Sequence, residues 1–324
     1  MKAVSIIIPA YNAERTLGEC LSAIQHLDWD GELEITVVDD ASTDSTAEIA
    51  RSFPGVKVIS VSHGGAARAT NAGIKVASHD IVVSVDADTI LEKDWLSKVI
   101  PIFENSNVAA VSGYVQGHSQ KLIGKIIGYH TELRHQRRPW YVDAMGSANT
   151  AYRRQAIIEA GMINENLSVG YDHDIAHRLH AAGYLLILSK EAKCYHYWRE
   201  SLRGYLKQQY GYAYSRLVLT GKSGKVYNQV STLGMVLQVP ITLTIILGAA
   251  LGSILASPLV LTALILIPAI HLPDTLLLFS RKKDWRILVL PVLFTLRNLT
   301  WLFAAFIWGL NQLKKRMGKL WTRS

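Results

Sequence analysis

The chain has 324 residues, is 49% hydrophobic and carries a formal net charge of +8, which leaves room for one sizeable core and a further region beyond it. Residues 1–229 hold 24 basic and 24 acidic side chains, so the whole excess lies in Arg281, Lys282, Lys283, Arg286, Arg297, Lys314, Lys315, Arg316, Lys319 and Arg323. These residues flank apolar runs and form no basic domain, which argues against nucleic acid as a partner and points to a membrane surface. Cys20 and Cys194 are far apart and match no metal spacing, so two buried free thiols in a reducing compartment are expected.

In chain order, the apolar stretch Ala3 to Ala10 is too short for a signal-peptide core and reads as a first strand over Val4 to Ile8. Ile35 to Val38, Val56 to Ser60 and Ile81 to Val85 are further short β-rich runs, each followed by polar or Gly-containing turns. Helices are expected over Ser45 to Ser52, after the capping residues Ser42-Thr43-Asp44, and over Ala66 to Ala77 and Lys93 to Phe103. This alternation predicts an α/β domain with a largely parallel sheet. Ligands of such sheets bind beyond the carboxyl ends of the strands, where Pro9-Ala10-Tyr11-Asn12, Asp39-Asp40 and Asp86-Ala87-Asp88 all fall. Residues 121–140 combine Leu122, Ile123, Ile126, Ile127 and Leu133 with five basic residues and end in Pro139-Trp140. An interfacial amphipathic helix is expected there, able to bind phospholipid or a lipid phosphate, with a solvated helix face as the alternative.

Between Val230 and Ser280 there is no Lys or Arg and one acid, Asp274. Leu233 to Leu255, Leu259 to Phe279 and Ile287 to Leu310 are each long enough, at about 1.5 Å per residue, to approach or cross an apolar layer of about 30 Å. Lys222 and Lys225 before the first run, and Arg281-Lys282-Lys283 after the second, predict a hairpin whose flanks and preceding domain face the cytoplasm. In the third run Pro291 is an interruption, Arg297-Asn298 sits mid-segment and Lys314-Lys315-Arg316 follows, so that run is re-entrant, interfacial or an exception to the basic-flank rule. His271, Pro273 and Asp274 are costly in lipid and could face a partner helix or a lipid-phosphate path, or be wet near the cytoplasmic end. The expected organisation is an α/β domain over residues 1–229 and an α-helical membrane region over residues 230–324, together an integral protein of the cell membrane.

Asp86-Ala87-Asp88 follows the strand Ile81 to Val85, and strand alternation gives its two carboxylates a shared direction. Hard oxygen ligands of this kind suit Mg2+ or Mn2+ held against a phosphate. Two solvated acids at a strand end are the plainer reading of that pair taken alone.

The surrounding segments change the balance. Pro9-Ala10-Tyr11-Asn12-Ala13-Glu14, Val38-Asp39-Asp40-Ala41-Ser42-Thr43-Asp44, Asn71-Ala72-Gly73-Ile74 and Val85-Asp86-Ala87-Asp88-Thr89 resemble, in order, the motifs of family 2 glycosyltransferases with a GT-A fold, a Rossmann-like nucleotide-diphospho-sugar transferase architecture. Gly146-Ser147-Ala148-Asn149-Thr150-Ala151-Tyr152-Arg153-Arg154, Tyr171-Asp172-His173-Asp174, Arg178-Leu179 and Gly183-Tyr184 are similar to the acceptor-side half of that family. The likeness spans about residues 4 to 215.

The resemblance implies an inverting transfer from a nucleotide sugar, UDP-linked in preference to GDP-linked, to a membrane-associated acceptor such as polyprenyl phosphate or a lipid-linked saccharide. It places Pro9, Ala10, Tyr11, Asn12, Glu14, Asp40, Arg68, Asn71, Asp86 and Ala87 against the nucleotide, with Asp40 accepting from a pyrimidine N–H. Arg68 and Asn71, three apart on one helix, share a face that could support the diphosphate or the metal-site loop, although the family's usual form has Arg immediately before Asn and a solvated Arg68 is the alternative. It gives Asp86, Asp88 and His196 to the metal and Gly146, Ser147, Asn149 and Asp174 to the acceptor side. The general base falls to Asp172, where Tyr171-Asp172 replaces the usual Glu-Asp, with Asp174 second and an N-cap as the structural alternative. His196, within Tyr195-His196-Tyr197-Trp198, could equally be a packed residue among aromatics. Gln208-Gln209-Tyr210-Gly211-Tyr212 lacks the Arg-Trp pair of chain-extending synthases, which points to single-sugar addition. Two other classes fit more loosely: a nucleotidyltransferase, which lacks its Gly-rich basic loop here, and an inactive membrane scaffold, against which Asp86, Asp88 and Asp172 speak.

Overall fold

The computed structural model describes residues 3–167, 169–223, 233–253 and 265–321. The chain divides into two compact units, Met1–Gln120 with Ile127–Trp198, and Lys121–Ile126 with Arg199–Ser324. The second therefore begins earlier than the composition change after Gln229.

The first unit is a mixed α/β domain. Val4–Ala10 (β1), Leu33–Asp39 (β2), Val56–Ser60 (β3) and Ile81–Val85 (β4) run parallel in the order β3-β2-β1-β4, linked by helices Leu17–Gln25 (α1), Thr46–Ser52 (α2) and Ala66–Val76 (α3). Thr89–Leu91 (β5), Trp95–Val99 (α4), Val108–Gly117 (β6), Leu122–Arg137 (α5), Asn149–Arg153 (β7), Arg154–Glu159 (α6), Tyr171–Ala181 (α7) and Leu185–His196 (β8) follow, and the eight strands form one sheet, β3-β2-β1-β4-β7-β6-β8-β5. The strands β7 and β5 run against their neighbours, while β8 runs parallel to β6. Both faces of the sheet are covered, so the central strands are buried and largely apolar, with Ser5, Thr36 and Ser84 as buried polar exceptions. Ile6 and Ile8 of β1 pack with Leu21 and Ile24 of α1 and Trp95 of α4, whereas Ile7 packs with Ile74 of α3 and, across that face, Ile157 of α6 and Leu179 of α7. At Gly73 a β-carbon would stand 2.9 Å from the Ile7 side chain, so only glycine lets α3 lie this close to β1.

The four expected strands and the helices at 45–52 and 66–77 are present within a residue or two. The run expected as one helix over Lys93 to Phe103 is α4 followed by a 3-10 turn over Ile100–Glu104, where Pro101 lacks the N–H an α-helix would use. α5 fills most of the span expected to be interfacial, but Glu132 and His135 face β6: Glu132 Oε1 accepts from Gly117 N–H (3.2 Å) and His135 Nδ1 from Val115 N–H (3.3 Å). Those strand N–H groups require acceptors when covered. Lys121 instead pairs with Glu200 and Lys125 with Asp284.

The second unit contains Leu202–Ser223 (α8), Leu233–Ser253 (α9), Leu272–Lys282 (α10) and Leu290–Trp321 (α11). Trp301 Nε1 of α11 donates to Gln209 Oε1 of α8, and Asn311 Nδ2 to Tyr214 Oη. The run Leu259 to Phe279 does not continue as one helix through its end: α10 starts anew at Leu272 after His271, with Pro273 in its first turn. Lys225 and the part of that run before residue 265 lie outside the described residues. Pro291 starts α11 and does not interrupt it, since a proline in the first turn forfeits no helical hydrogen bond. Arg297 and Asn298 are buried: Arg297 donates to Gln238 Oε1 (2.7 Å) of α9, and Asn298 Nδ2 meets His271 Nε2 at 3.2 Å. Among the described residues, one helical stretch, Trp285–Lys314, which joins a 3-10 turn over Trp285–Val289 to most of α11, is long and apolar enough to cross a membrane, and Leu237–Gly248 is a shorter apolar stretch.

Candidate functional site

The strand directions bring five segments to one edge of the sheet. The ends of β1, β2, β4 and β8 and the start of β7 lie there, because Ala10 pairs with Asp39, Val85 with Asn149, and Thr89 with His196. Asp86 sits just past β4, its N–H donating to Ala148 carbonyl (3.1 Å) and its carbonyl accepting from Thr89 N–H (2.9 Å). The 146–148 segment thus fixes the turn that carries Ala87 and Asp88.

Asp86, Asp88 and His196 form a compact cluster in which one ligand atom from each lies within 4.8 Å of the others. His196 Nε2 is 3.2 Å from Asp88 Oδ1, and its ring packs on Trp198 at 4.5 Å between centroids. Burial pushes the Asp86 carboxyl up to about 7, the Asp88 charge adds to the rise, and His196 opposes it. A carboxylate that resists ionising beside a second carboxylate is what a cation relieves. Two hard oxygens and one imidazole nitrogen are a donor set that fits Mg2+ or Mn2+. Burial and the same two carboxylates also push the Cys20 thiol up, which keeps it protonated against the cluster.

The loops after β1 and β2 are laced together. Asn12, at φ +48, accepts from Thr43 N–H (2.8 Å) through Oδ1 and donates its own N–H to Ser42 Oγ (3.0 Å). Glu14 N–H donates to Asp44 Oδ2, and Glu14 Oε2 accepts from Ser45 N–H, both at 3.2 Å. Asn12 and Glu14 therefore shape the loop, with Pro9 and Ala10 ending the strand beneath it and Tyr11 left 49% exposed. Asp40 is buried, with Oδ1 accepting from Gly64 N–H (2.8 Å) and Oδ2 from Gly65 N–H (2.9 Å).

Asp172 lies in the first turn of α7 and is not its N-cap, which is Gly170 at φ +79. Its Oδ1 accepts from His173 N–H (2.8 Å), and its charge raises both Asp86 and Tyr152, so it belongs to the same edge. Asp174 is turned to other work. It holds Arg178 at 2.8 Å, and Arg178 donates to the carbonyls of Ala160 and Met162. Gly146 and Ser147 adjoin the Asp86 turn, but Asn149 is buried, accepting from Gly113 N–H (2.7 Å) and Trp95 Nε1 (3.2 Å) and donating to Cys194 Sγ (2.9 Å). Asn71 is likewise buried, its amide bonded to both backbone groups of Ile163 and to Glu165. Arg68, one turn earlier, is exposed, so the shared face expected of the two divides between solvent and core.

Three side chains not singled out by the sequence support the cluster. Tyr197 N–H donates to Asp88 carbonyl (3.1 Å) while its hydroxyl donates to Glu19 Oε2 (2.6 Å). His118 N–H donates to His196 carbonyl (3.0 Å), and its Nε2 is 3.6 Å from Glu19 Oε1. Glu19 is 178 residues from Tyr197, and no local motif signals such a pairing.

Residues 5–161 match the profile of the family described as "Glycosyl transferase family 2". Over 230 residues the chain is 28% identical to the poly-beta-1,6-N-acetyl-D-glucosamine synthases of Staphylococcus aureus (strain COL) and Staphylococcus epidermidis, a match covering 66% of this chain and 54% of each relative. The chain thus spans about half the length of these curated relatives. The mannosyltransferase PcManGT from Pyrobaculum calidifontis, solved in complex with GDP-Man and Mn2+, superposes with a TM-score of 0.58 at 21% identity, over 94% of this chain and 86% of that one. That likeness establishes a GT-A-like fold.

Proposed function

From the premise that residues 5–161 carry a glycosyl transferase family 2 domain, we propose that the chain transfers one sugar, with inversion, from a nucleotide-diphosphate sugar to a membrane-associated acceptor. The observation that carries this reading is the Asp86, Asp88 and His196 cluster on the same strand edge as Asp172. Asp86, Asp88 and His196 would hold Mg2+ or Mn2+, which supplies charge neutralisation to a departing diphosphate when bound. Asp172 takes the proton of the acceptor hydroxyl as that oxygen attacks the sugar carbon and the bond to the diphosphate breaks; attack from the opposite face inverts the configuration. The 146–148 segment and Tyr197 hold Asp86 and Asp88 in place for this step, and the laced loops after β1 and β2 receive the nucleotide.

A UDP-sugar is favoured as donor, with a GDP-sugar second; the GDP-Man complex of the archaeal neighbour speaks for the second. The apolar helix Trp285–Lys314 supports an acceptor carried on a lipid, polyprenyl phosphate or a lipid-linked saccharide, with the transferase domain facing the cytoplasm of the cell membrane. The relatives are named polymer synthases, so product length decides whether one sugar or many are added.

The test is release of nucleoside diphosphate by the full chain in lipid nanodiscs, with Mn2+, a panel of nucleotide sugars and polyprenyl phosphate, followed by product analysis. Nucleoside diphosphate release, a β-linked product from an α-linked donor and loss of activity in Asp88→Asn are expected. Pyrophosphate release in its place, or an Asp88→Asn variant as active as the parent, overturns the reading.

A further inference from the structure

We propose that α8 and α11 lie side by side in the headgroup layer of an anionic bilayer, and that α11 runs along the membrane instead of across it; the inference rests on the membrane attachment proposed above and deepens it. By length and composition alone the stretch Trp285–Lys314 is fit to cross. Its neighbour is not. Trp301 Nε1 donates to Gln209 Oε1 and Asn311 Nδ2 to Tyr214 Oη, both at 3.2 Å, and the Phe303 and Tyr210 rings lie 6.0 Å apart between centroids. The two helices thus run in contact and in the same direction, so a path that takes this part of α11 through hydrocarbon takes α8 with it.

α8 is ill suited to that path. From Arg203 to Arg216, about 20 Å of helix, it carries Arg203, Lys207, Gln208, Gln209 and Arg216. Groups at that spacing fall within a hydrocarbon core of about 30 Å, where each charge is costly.

The exposed side chains of α11 describe the surroundings the pair does suit. Leu299, Phe303, Phe306, Leu310, Leu313 and Met317 are all exposed, and their alternating spacing of four and three puts them in one stripe about 27 Å long. On the opposite side Trp301 and Asn311 turn to α8, and Ala304 between them is fully buried. Six large apolar side chains in one row are unfavourable in water and mark a contact surface. Its charge names the partner. Neither helix contains an Asp or Glu, whereas Arg203 and Lys207 of α8 and Lys314 of α11 are exposed cations, which anionic headgroups complement. An apolar stripe of Leu and Phe with basic residues beside it is the composition of a helix that lies in the interface plane. The phosphate of a lipid-borne acceptor sits at the same depth, so the pair holds the chain at the level where that acceptor presents its reactive end.

The experiment measures depth along the stripe. The full chain carries a nitroxide at Leu299→Cys, Phe306→Cys or Leu313→Cys and is reconstituted into vesicles of phosphatidylcholine and phosphatidylglycerol. Cys20 and Cys194 are buried, so the label goes to the introduced thiol, and all three replaced side chains are exposed, so the core is left intact. Depth is read from collisions with dissolved oxygen relative to those with a water-soluble nickel complex. The three labels should lie at one shallow level, about 5 to 10 Å into the headgroup and acyl boundary. Leu299 and Leu313 are about 21 Å apart along the helix axis, so a crossing helix gives depths that differ by about 10 Å or more among the three; that result overturns the inference and leaves the membrane attachment standing. Collisions with both reagents suppressed at all three positions would place the stripe against a second copy of this chain and likewise overturn it. Nickel collisions that dominate at all three would leave the stripe in water, overturning both the inference and the attachment on which it rests.

Discussion

The first compact unit buries polar side chains and ties them to segments far away in sequence; the second turns large apolar side chains outward while burying Arg297, Asn298 and His271. Asn149 and Asn71 illustrate the first pattern, one joining β7 to β6, α4 and β8, the other joining α3 to the loop at Ile163. Leu247 of α9 and Phe303 and Phe306 of α11 illustrate the second, exposed while Arg297 and Asn298 are buried against Gln238 and His271. In water the first arrangement is favourable and the second is not, because a satisfied buried amide fixes position while exposed apolar area costs free energy. The Asp86, Asp88 and His196 cluster lies in the first unit, and the outward apolar side chains of the second are the ground for proposing an apolar environment around that unit.

The largest effect that would sharpen this contrast is Asp172→Asn, which should lower kcat by about 10²- to 10⁴-fold while leaving Mn2+ and nucleotide binding unchanged in the same preparations. Asn149→Ala comes next. It leaves Gly113 N–H and Trp95 Nε1 without their acceptor in the core, and should destabilise the first unit by about 3 kcal/mol in denaturant unfolding; a cost below about 1 kcal/mol would break the idea that these amides position the site. Asn12→Ala, which loses its bonds to Thr43 and sits at φ +48, should cost about 1 to 2 kcal/mol and weaken nucleotide binding in parallel.

Asp86 supplies a pH test. Its folded-state value is raised from 3.8 to about 7, so between those values the folded chain holds a proton that the unfolded chain has released. Its contribution to stability is complete below pH 4 and is lost as pH rises through 7. The cation-free melting temperature should therefore decline from pH 5 to pH 7.5 more in the parent than in Asp86→Asn, and the increment from added Mn2+ should grow over the same range. For the second unit, a spin label at Phe303→Cys in nanodiscs should collide more often with dissolved oxygen than with a water-soluble nickel complex; the reverse ranking would remove the apolar surroundings from the account.

Much of the domain was legible in the sequence because parallel strands buried on both faces are short apolar runs ending in turn residues. Val56–Ser60 and Ile81–Val85 were bounded correctly for that reason. The grouping of Asp86, Asp88 and His196 was legible from the order of motifs, and all three meet. What could not be read is how polar residues divide between ligand and scaffold. Asn71 and Asn149 look like site residues by motif, yet their partners lie 92 residues away in one case and 36 to 54 in the other, and only the fold brings those partners near. The three-residue strand β5 is too short to carry a periodic signal, and it is the strand that sets His196 opposite Thr89. In the helical unit, Pro291 reads as a break until the preceding 3-10 turn shows that it begins a helix.

The central claim is that Asp86, Asp88 and His196 form one cation site that serves a diphosphate. It is tested most directly by titrating Mn2+ into the full chain and counting free ion by electron paramagnetic resonance, with and without UDP, in the parent, Asp88→Asn and His196→Ala. One Mn2+ bound per chain, held more tightly when UDP is present and weakened about 10- to 100-fold or more in both variants, is the predicted result. Equal Mn2+ binding by the parent and both variants would contradict it.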